Sequence, residues 1–210
     1  MATSTIDPAE AERETPTPAM PRVLLISMPF ATTMRPSIGL GLLKAGLARR
    51  GMPCDVRYCN LRYADRIGVE TYERISNFSR DPLLGEWIFA EDVFGAAVPE
   101  PERYFESVLR PCLERPFHRD RSEADLPPPE ALFAALVRLR RQATQFLDEC
   151  EASIPWPNYG LVGFTTTFEQ NLASLALSRR IKSRHPEIAI AFGGANCEGE
   201  MGAALHRLFP

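Results

Sequence analysis

The chain is poor in the residue patterns that most often carry chemistry. Its five cysteines are odd in number and irregularly spaced through 210 residues. That argues against a disulfide framework and for a reducing compartment, the cytoplasm. There is no C-x-x-C, no C-x-x-x-C-x-x-C and no zinc-type spacing. His118, His185 and His206 stand far apart, on expected loop or exposed helix positions, so none is a candidate ligand. Neither G-x-G-x-x-G nor G-x-x-x-x-G-K-[ST] occurs, which removes the main support for a dinucleotide or P-loop site. No apolar run approaches the roughly 18–20 residues of a bilayer span, so no membrane partner is expected. A net charge of −3 and a pI near 5.7 give no electrostatic case for nucleic acid.

What is present is an ordinary globular composition, 45% apolar and 24% charged, in a chain long enough to bury a real core. Residues 1–20, "MATSTIDPAEAERETPTPAM", are small, polar and acidic, and are expected to form a disordered leader rather than a signal or transit peptide. From 21 to 60 the pattern is β-α-β. "RVLLIS" reads as a covered strand, and Pro36-Ser37 opens a helix with Leu40, Leu43 and Leu47 at inward spacing. Gly51 closes that helix, and "CDVRYCNL" reads as a second strand.

The same grammar returns over 154–210. "YGLVGFTTT" is a strand running into a threonine turn. The helix that follows, "FEQNLASLALSRRIKSRHP" from Phe168, has Leu172, Leu175, Ala176 and Ile181 inward and is stopped by Pro186. "EIAIAFGG" is another strand, and "CEGEMGAALHRLF" begins another helix. The fold class expected is therefore α/β, a doubly wound, Rossmann-like parallel sheet. Residues 61–153 break the pattern. They are helix-prone, with a proline-bearing linker, "SEADLPPPE" at 122–130, and an amphipathic stretch carrying Leu132, Leu136, Leu139, Ala143, Phe146 and Cys150. This is expected to be a helical insertion after the second strand, either capping the ligand face or covering a sheet edge.

In such sheets ligands bind beyond the carboxyl ends of the strands. The loops there are "SMPFATTMRPSIG", "GFTTTFEQN" and "FGGANCEGE". Gly39 and Gly41 either admit a ligand or let the first helix pack closely. Thr165, Thr166 and Thr167 place three hydroxyls after a buried strand, to cap the next helix, to bind a ligand's polar groups, or both. Gly193-Gly194 allows a flat ligand to rest on backbone. Asn196 is a candidate cap for the last helix, with Glu198 at its positive end. Cys54 and Cys59, placed on the second strand, face opposite ways and make a poor metal pair. Cys197 lies near an expected helix N-terminus, which lowers a thiol pKa, but Glu198 and Glu200 oppose that.

The segments "RVLLISMPFATTMRPSIGLGLLKAGL", "NLRYADRIGVETYERIS", "LLGEWIFAEDVFG" and "FLDECEASIPWPNYGLVGFTTTFEQNLASLALSRRIKSRHPEIAIAFGGANCEGEMG" together resemble the N-terminal region of the radical SAM C-methyltransferases that mature ribosomal peptides. The resemblance runs from Arg22 to Pro210, and "LLGEWIFAEDVFG" and "GGANCEGEMG" are its most specific parts. It implies a cobalamin-binding domain followed by a radical SAM domain holding a 4Fe-4S cluster and S-adenosylmethionine, with a precursor peptide as substrate. By that resemblance Pro29, Phe30, Ser37, Gly39, Gly41, Thr165, Thr166, Thr167, Gly193, Gly194, Ala195 and Asn196 would contact cofactor. Two departures stand out. The D-x-H-x-x-G signature of many cobalamin domains is absent, so no axial histidine is expected. The cluster motif is also absent, so these residues are expected to be an incomplete, C-terminally truncated part of a longer enzyme that does not catalyse alone. A non-catalytic module binding a peptide or partner protein is the alternative.

Overall fold

In a computed structural model, residues 22–78, 81–114 and 127–209 are described. The expected leader (1–20) and most of the proline-bearing linker (122–130) lie outside them, as does His118. Four strands, β1 (Arg22–Ser27), β2 (Cys54–Tyr58), β3 (Tyr159–Thr165) and β4 (Ala189–Gly193), form one all-parallel sheet in the order β2-β1-β3-β4. This is an α/β fold compatible with a Rossmann-like one. The central position of β1 explains its unbroken apolar run. From Val23 to Ser27 every residue is buried, because both faces and both edges are covered.

Helix α1 (Ile38–Ala48) joins β1 to β2. Then come α2 (Cys59–Ile67), α3 (Val69–Ser76) and α4 (Leu84–Phe94). Next is a helical stretch made of α5 (Pro101–Tyr104), a π-helical turn at Phe105–Leu109 and α6 (Arg110–Glu114). The 24-residue α7 (Pro129–Ala152) leads to β3. Helix α8 (Asn171–Arg184) joins β3 to β4, and α9 (Gly199–Leu208) follows β4. Among the described residues no helix is long and apolar enough to cross a membrane.

The two faces of the sheet are covered unequally. Leu24, Ile26, Val162 and Phe164 point into the main core, where α8 contributes Ala173, Leu175, Leu177 and Ile181. The helices between β2 and β3 supply the rest of that core, including Tyr63, Tyr72, Phe89, Leu136 and Phe146. Truncating a fully buried aromatic such as Phe89 or Phe146 to Ala costs about 3–5 kcal/mol in comparable cores. On the opposite face, among the described residues, Val23, Leu25 and Leu40 form a smaller buried cluster, with Leu47, Val56 and Leu161 packed beside them.

Local sequence explains most boundaries. Pro129 occupies the first turn of α7, where its missing N–H costs nothing, and Glu130 complements the helix dipole. Leu136, Leu139, Ala143, Phe146 and Cys150 are buried along its inner stripe. Pro186 follows the end of α8. Three expectations need correction. Leu43 is 56% exposed rather than inward, because α1 rests on the sheet through Leu40 and Leu47 alone. Strand β2 ends at Tyr58, and Cys59 opens α2 with its side chain buried, so Cys54 and Cys59 do not share a strand. The helix after the threonine turn begins at Asn171, not at Phe168, because Thr167 to Gln170 form a tight turn.

Candidate functional site

Strands β1 and β3 are adjacent, yet the chain leaves β1 towards β2 and leaves β3 towards β4. The loops beyond their carboxyl ends therefore diverge and leave a crevice, the position at which open parallel sheets bind ligands. A cavity of about 560 Å³ lies there, with Ser27 and Thr165 at its base and Phe30, Phe78 and Phe168 among its walls. That volume falls within the usual range for small-molecule sites.

The loop after β1 is held down by side chains of α2 and α3. The Glu73 carboxylate accepts from the Thr32 hydroxyl (2.9 Å), the Thr33 hydroxyl (2.6 Å), the Thr33 backbone N–H and the Asn77 amide (3.0 Å). Burial opposes ionisation of Glu73, but these donors outweigh it and hold its carboxyl below the usual range. The carbonyl of Ala31 accepts from the Tyr72 hydroxyl at 2.6 Å and from the Asn60 amide at 3.4 Å. Burial pushes the Tyr72 phenol far above its ordinary pKa, which keeps it a donor. The loop ends where the Ser37 hydroxyl caps α1 by accepting from Leu40 N–H.

The loop after β3 is equally fixed. Gln170, 1% exposed, accepts from the Thr167 hydroxyl (2.8 Å) and donates to the Met28 carbonyl, tying the two strand ends together. Glu169 is buried with φ +69°, and its carboxylate accepts from the Gly85 N–H at 2.6 Å. A Cβ on Gly85 would sit 2.5 Å from the Phe30 ring and 2.7 Å from that carboxylate, so only glycine lets α4 approach so closely.

The loop after β4 closes onto the threonine turn. Thr166 is fully buried, and its N–H and hydroxyl both donate to the Gly193 carbonyl, at 2.6 and 3.1 Å. Gly194 has φ +106°, and a Cβ there would lie 2.3 Å from the Thr166 carbonyl oxygen. The Asn196 amide donates to the Thr167 carbonyl at 2.6 Å, so Asn196 clasps two loops instead of capping α9, whose N-terminus has no side-chain cap. Cys197 ends a short 3-10 turn with Ala195 and Asn196. Its Sγ lies 3.4 Å from the Thr166 hydroxyl, before the start of α9 at Gly199.

The expected site residues therefore divide. Phe30, Ser37, Thr165 and Thr167 line the cavity. Pro29 is buried beside it, joined to Phe30 by a cis peptide bond. Thr166, Gly194 and Asn196 make the clasp, with Ala195 in its turn, so the bareness of this turn is explained by loop-to-loop packing. Gly193 gives its carbonyl to Thr166 and has open space at its Cβ position. Gly39 and Gly41 lie exposed on α1, also with open space at their Cβ positions, and do not line the cavity. Sequence reasoning placed Arg35, Glu169 and Gln170 in the ligand-side loops without singling them out; it missed Phe78, which also lines the cavity, and Glu73 and Gly85, which shape it. Glu73 and Gln170 each have one local partner, Asn77 and Thr167, but the bonds by which the two glutamates and the glutamine shape the crevice reach residues 40 to 142 positions away.

The cavity offers hydroxyls, aromatic walls and the exposed guanidinium of Arg35, which makes no ion pair among the described residues. Its one buried acid, Glu169, is engaged by backbone. No nucleophile–base pair lines it, and the described residues hold no group of three or more His, Cys, Asp or Glu suited to a metal ion. The cavity suits a ligand with a ring, hydroxyls and a negative charge. No family model, no curated protein and no solved structure matches the chain.

Proposed function

We propose that the chain is the cobalamin-binding domain of a cytoplasmic radical SAM methyltransferase that C-methylates a ribosomally made peptide. Its fold is then doubly wound and Rossmann-like, with the helices between β2 and β3 as an insertion. The carrying observation is the cavity between the carboxyl ends of β1 and β3. The resemblance of residues 22–210 to that enzyme family supplies the identity of the ligand. A whole cobalamin is larger than the cavity, but its nucleotide tail carries a ring, a sugar and a phosphate. Phe30, Phe78 and Phe168 suit the ring, the hydroxyls of Ser37, Thr165 and Thr167 suit the sugar, and Arg35 suits the phosphate. With no histidine in the loop after β1, cobalamin would be held without an axial ligand from that loop. When bound, cobalamin supplies a transferable methyl group. The 4Fe-4S cluster and S-adenosylmethionine belong to a further domain.

The test is to incubate the protein with hydroxocobalamin, desalt it and record the visible absorption. Retention near one equivalent is expected. Thr165→Phe, which fills the base of the cavity, should weaken binding at least roughly tenfold, and Arg35→Ala roughly three- to tenfold. No retained absorption, or unchanged binding by Thr165→Phe, refutes the reading. A second reading, a non-catalytic module that binds a peptide or partner protein, is favoured by one observation: the outward face of α1 is apolar and uncovered.

A further inference from the structure

Two of the five cysteines meet in the core. Cys59 is the first residue of α2 and Cys150 lies in the last turn of α7, 2% and 0% exposed. Neither is bridged, and the Cys150 thiol donates a hydrogen bond to the Cys59 sulfur. Neighbouring contacts hold the two helices together around that meeting. Arg62 of α2 donates to the Ser153 hydroxyl at 2.8 Å, which donates in turn to the Cys150 carbonyl at 3.0 Å. Arg66 pairs with Glu149 at 2.8 Å, and the Tyr63 and Phe146 rings lie 4.7 Å apart. The other cysteines lie elsewhere: Cys54 on the opposite face of the sheet, Cys112 in α6 and Cys197 beside Thr166.

The two thiols are not equivalent. Cys59 opens a helix whose N-terminus has no side-chain cap, a position that favours a thiolate. The hydrogen bond from Cys150, with the charges of Arg62 and Arg57, holds the Cys59 thiol below its ordinary pKa against the opposing effect of burial. Donating that bond, together with burial, pushes the Cys150 thiol up. An inert core cysteine lacks this asymmetry, since apolar burial alone raises a thiol pKa. A thiol of depressed pKa beside a second, protonated one is the arrangement of a nucleophile and its resolving partner.

We propose that Cys59 and Cys150 are a redox pair, a dithiol under reducing conditions that hydrogen peroxide closes to a disulfide, tightening α2 against α7. The Cys59 thiolate attacks one peroxide oxygen. The O–O bond breaks, the departing hydroxide takes a proton to become water, and Cys59 is left as the sulfenic acid. The Cys150 sulfur then attacks the Cys59 sulfur. The S–S bond forms, the S–O bond breaks, and the hydroxide released takes the Cys150 proton as a second water. In sum the two thiols lose two electrons and two protons, and the peroxide is reduced to two waters. A dithiol reductant reverses the closure.

The closure is felt at the crevice. A disulfide sets its sulfurs about 2.05 Å apart, closer than hydrogen-bonded thiols, so α2 is drawn in. Helix α2 supports the loop after β1 through Asn60, which donates to the Ala31 carbonyl at 3.4 Å. It also does so through Tyr63, whose ring centroid lies 5.6 Å from that of Phe30. The pair acts in this way whatever the crevice binds.

The test treats the full chain, natively folded, with a small molar excess of hydrogen peroxide. Its mass should fall by about 2 Da, and two of its five thiols should be lost to titration after denaturation. A non-reducing digest should join the peptides of Cys59 and Cys150, and dithiothreitol should separate them. Amide exchange should slow in 59–67 and 28–33 on oxidation and recover on reduction. Cys150→Ser should stop at the sulfenic acid, trapped on Cys59 by dimedone, whereas Cys59→Ser should give no adduct on Cys150. The digest and the exchange use the unaltered chain, so they decide the matter even where a variant fails to fold. The proposal is overturned by five intact thiols, by a disulfide joining any other pair, or by oxidation of Cys59 to the sulfinic acid without a disulfide. A Cys59–Cys150 disulfide that leaves exchange in 28–33 unchanged overturns the link to the crevice.

Discussion

Glu73 carries much of the loop after β1, and its role is pH-dependent in a defined direction. Because its folded carboxyl is held below the unfolded value of about 4.3, its stabilisation is complete above that pH. It is lost as pH falls through the lower folded value. Glu73→Gln should therefore flatten the acid limb of stability between about pH 5 and pH 3. At neutral pH it should cost on the order of 1–3 kcal/mol through its orphaned donors. Urea midpoints measured across that pH range check both. Gly85→Ala tests the contact with Phe30 and Glu169. A methyl 2.5 Å from a ring carbon forces a shift, with an expected loss of about 1–3 kcal/mol, measured by urea unfolding at pH 7. An alanine variant as stable as the parent would show that α4 is not wedged there. None of this was legible from sequence. Glycine at 85 sits inside an expected helix, and Glu73 looks like any exposed helical acid until the threonines 40 and 41 residues earlier are brought to it.

At the scale of elements, a cap supplied from another helix joins α4 to α8. The Glu86 carboxylate of α4 accepts from the backbone N–H groups of Asn171 (3.0 Å) and Leu172 (2.7 Å), two donors the first turn of α8 does not satisfy itself. Burial raises the Glu86 carboxyl above its usual value despite those donors. Its contribution to pH dependence is thus opposite in sign to that of Glu73, greatest at low pH and lost as pH rises through the raised folded value. Glu86→Ala should destabilise by roughly 1–2 kcal/mol, as for loss of an N-cap. Glu86→Gln, which keeps an acceptor and removes the buried charge, should be milder and should raise relative stability at alkaline pH. Thermal unfolding at pH 5 and pH 8 separates them. The sequence shows α8 and its stop at Pro186 clearly, and the stripe of α7 too, because apolar spacing and proline are local. It does not show that α8 borrows its cap, or that β2 yields to helix at Cys59, because tertiary burial decides both.

Over the whole molecule, stability is unevenly distributed. Strands β1 and β3 are buried and paired on both edges, whereas α9 has no fully buried residue and α1 has one, Leu40. Amide exchange should be slowest in 23–27 and 161–165 and fastest in 199–208 and the outer turns of α1. Uniform protection across these elements would contradict that ranking. A saturating crevice ligand at about 100 times its Kd should add about 2.7 kcal/mol and raise Tm accordingly. The alternation of strands and helices in the two ends of the chain made the parallel sheet foreseeable, and the threonine turn marked one wall of the cavity. The order of assembly of that cavity is a matter of contacts, and it carries a consequence in time. Gln170 bonds Met28 across 142 positions, and the clasp needs Asn196 as well. At about 5–20 residues per second, a ribosome delivers Gln170 roughly 7–28 s after Met28. Through that interval β1 waits without its neighbour β3, and any ligand of the crevice can join only a chain whose synthesis has passed residue 196.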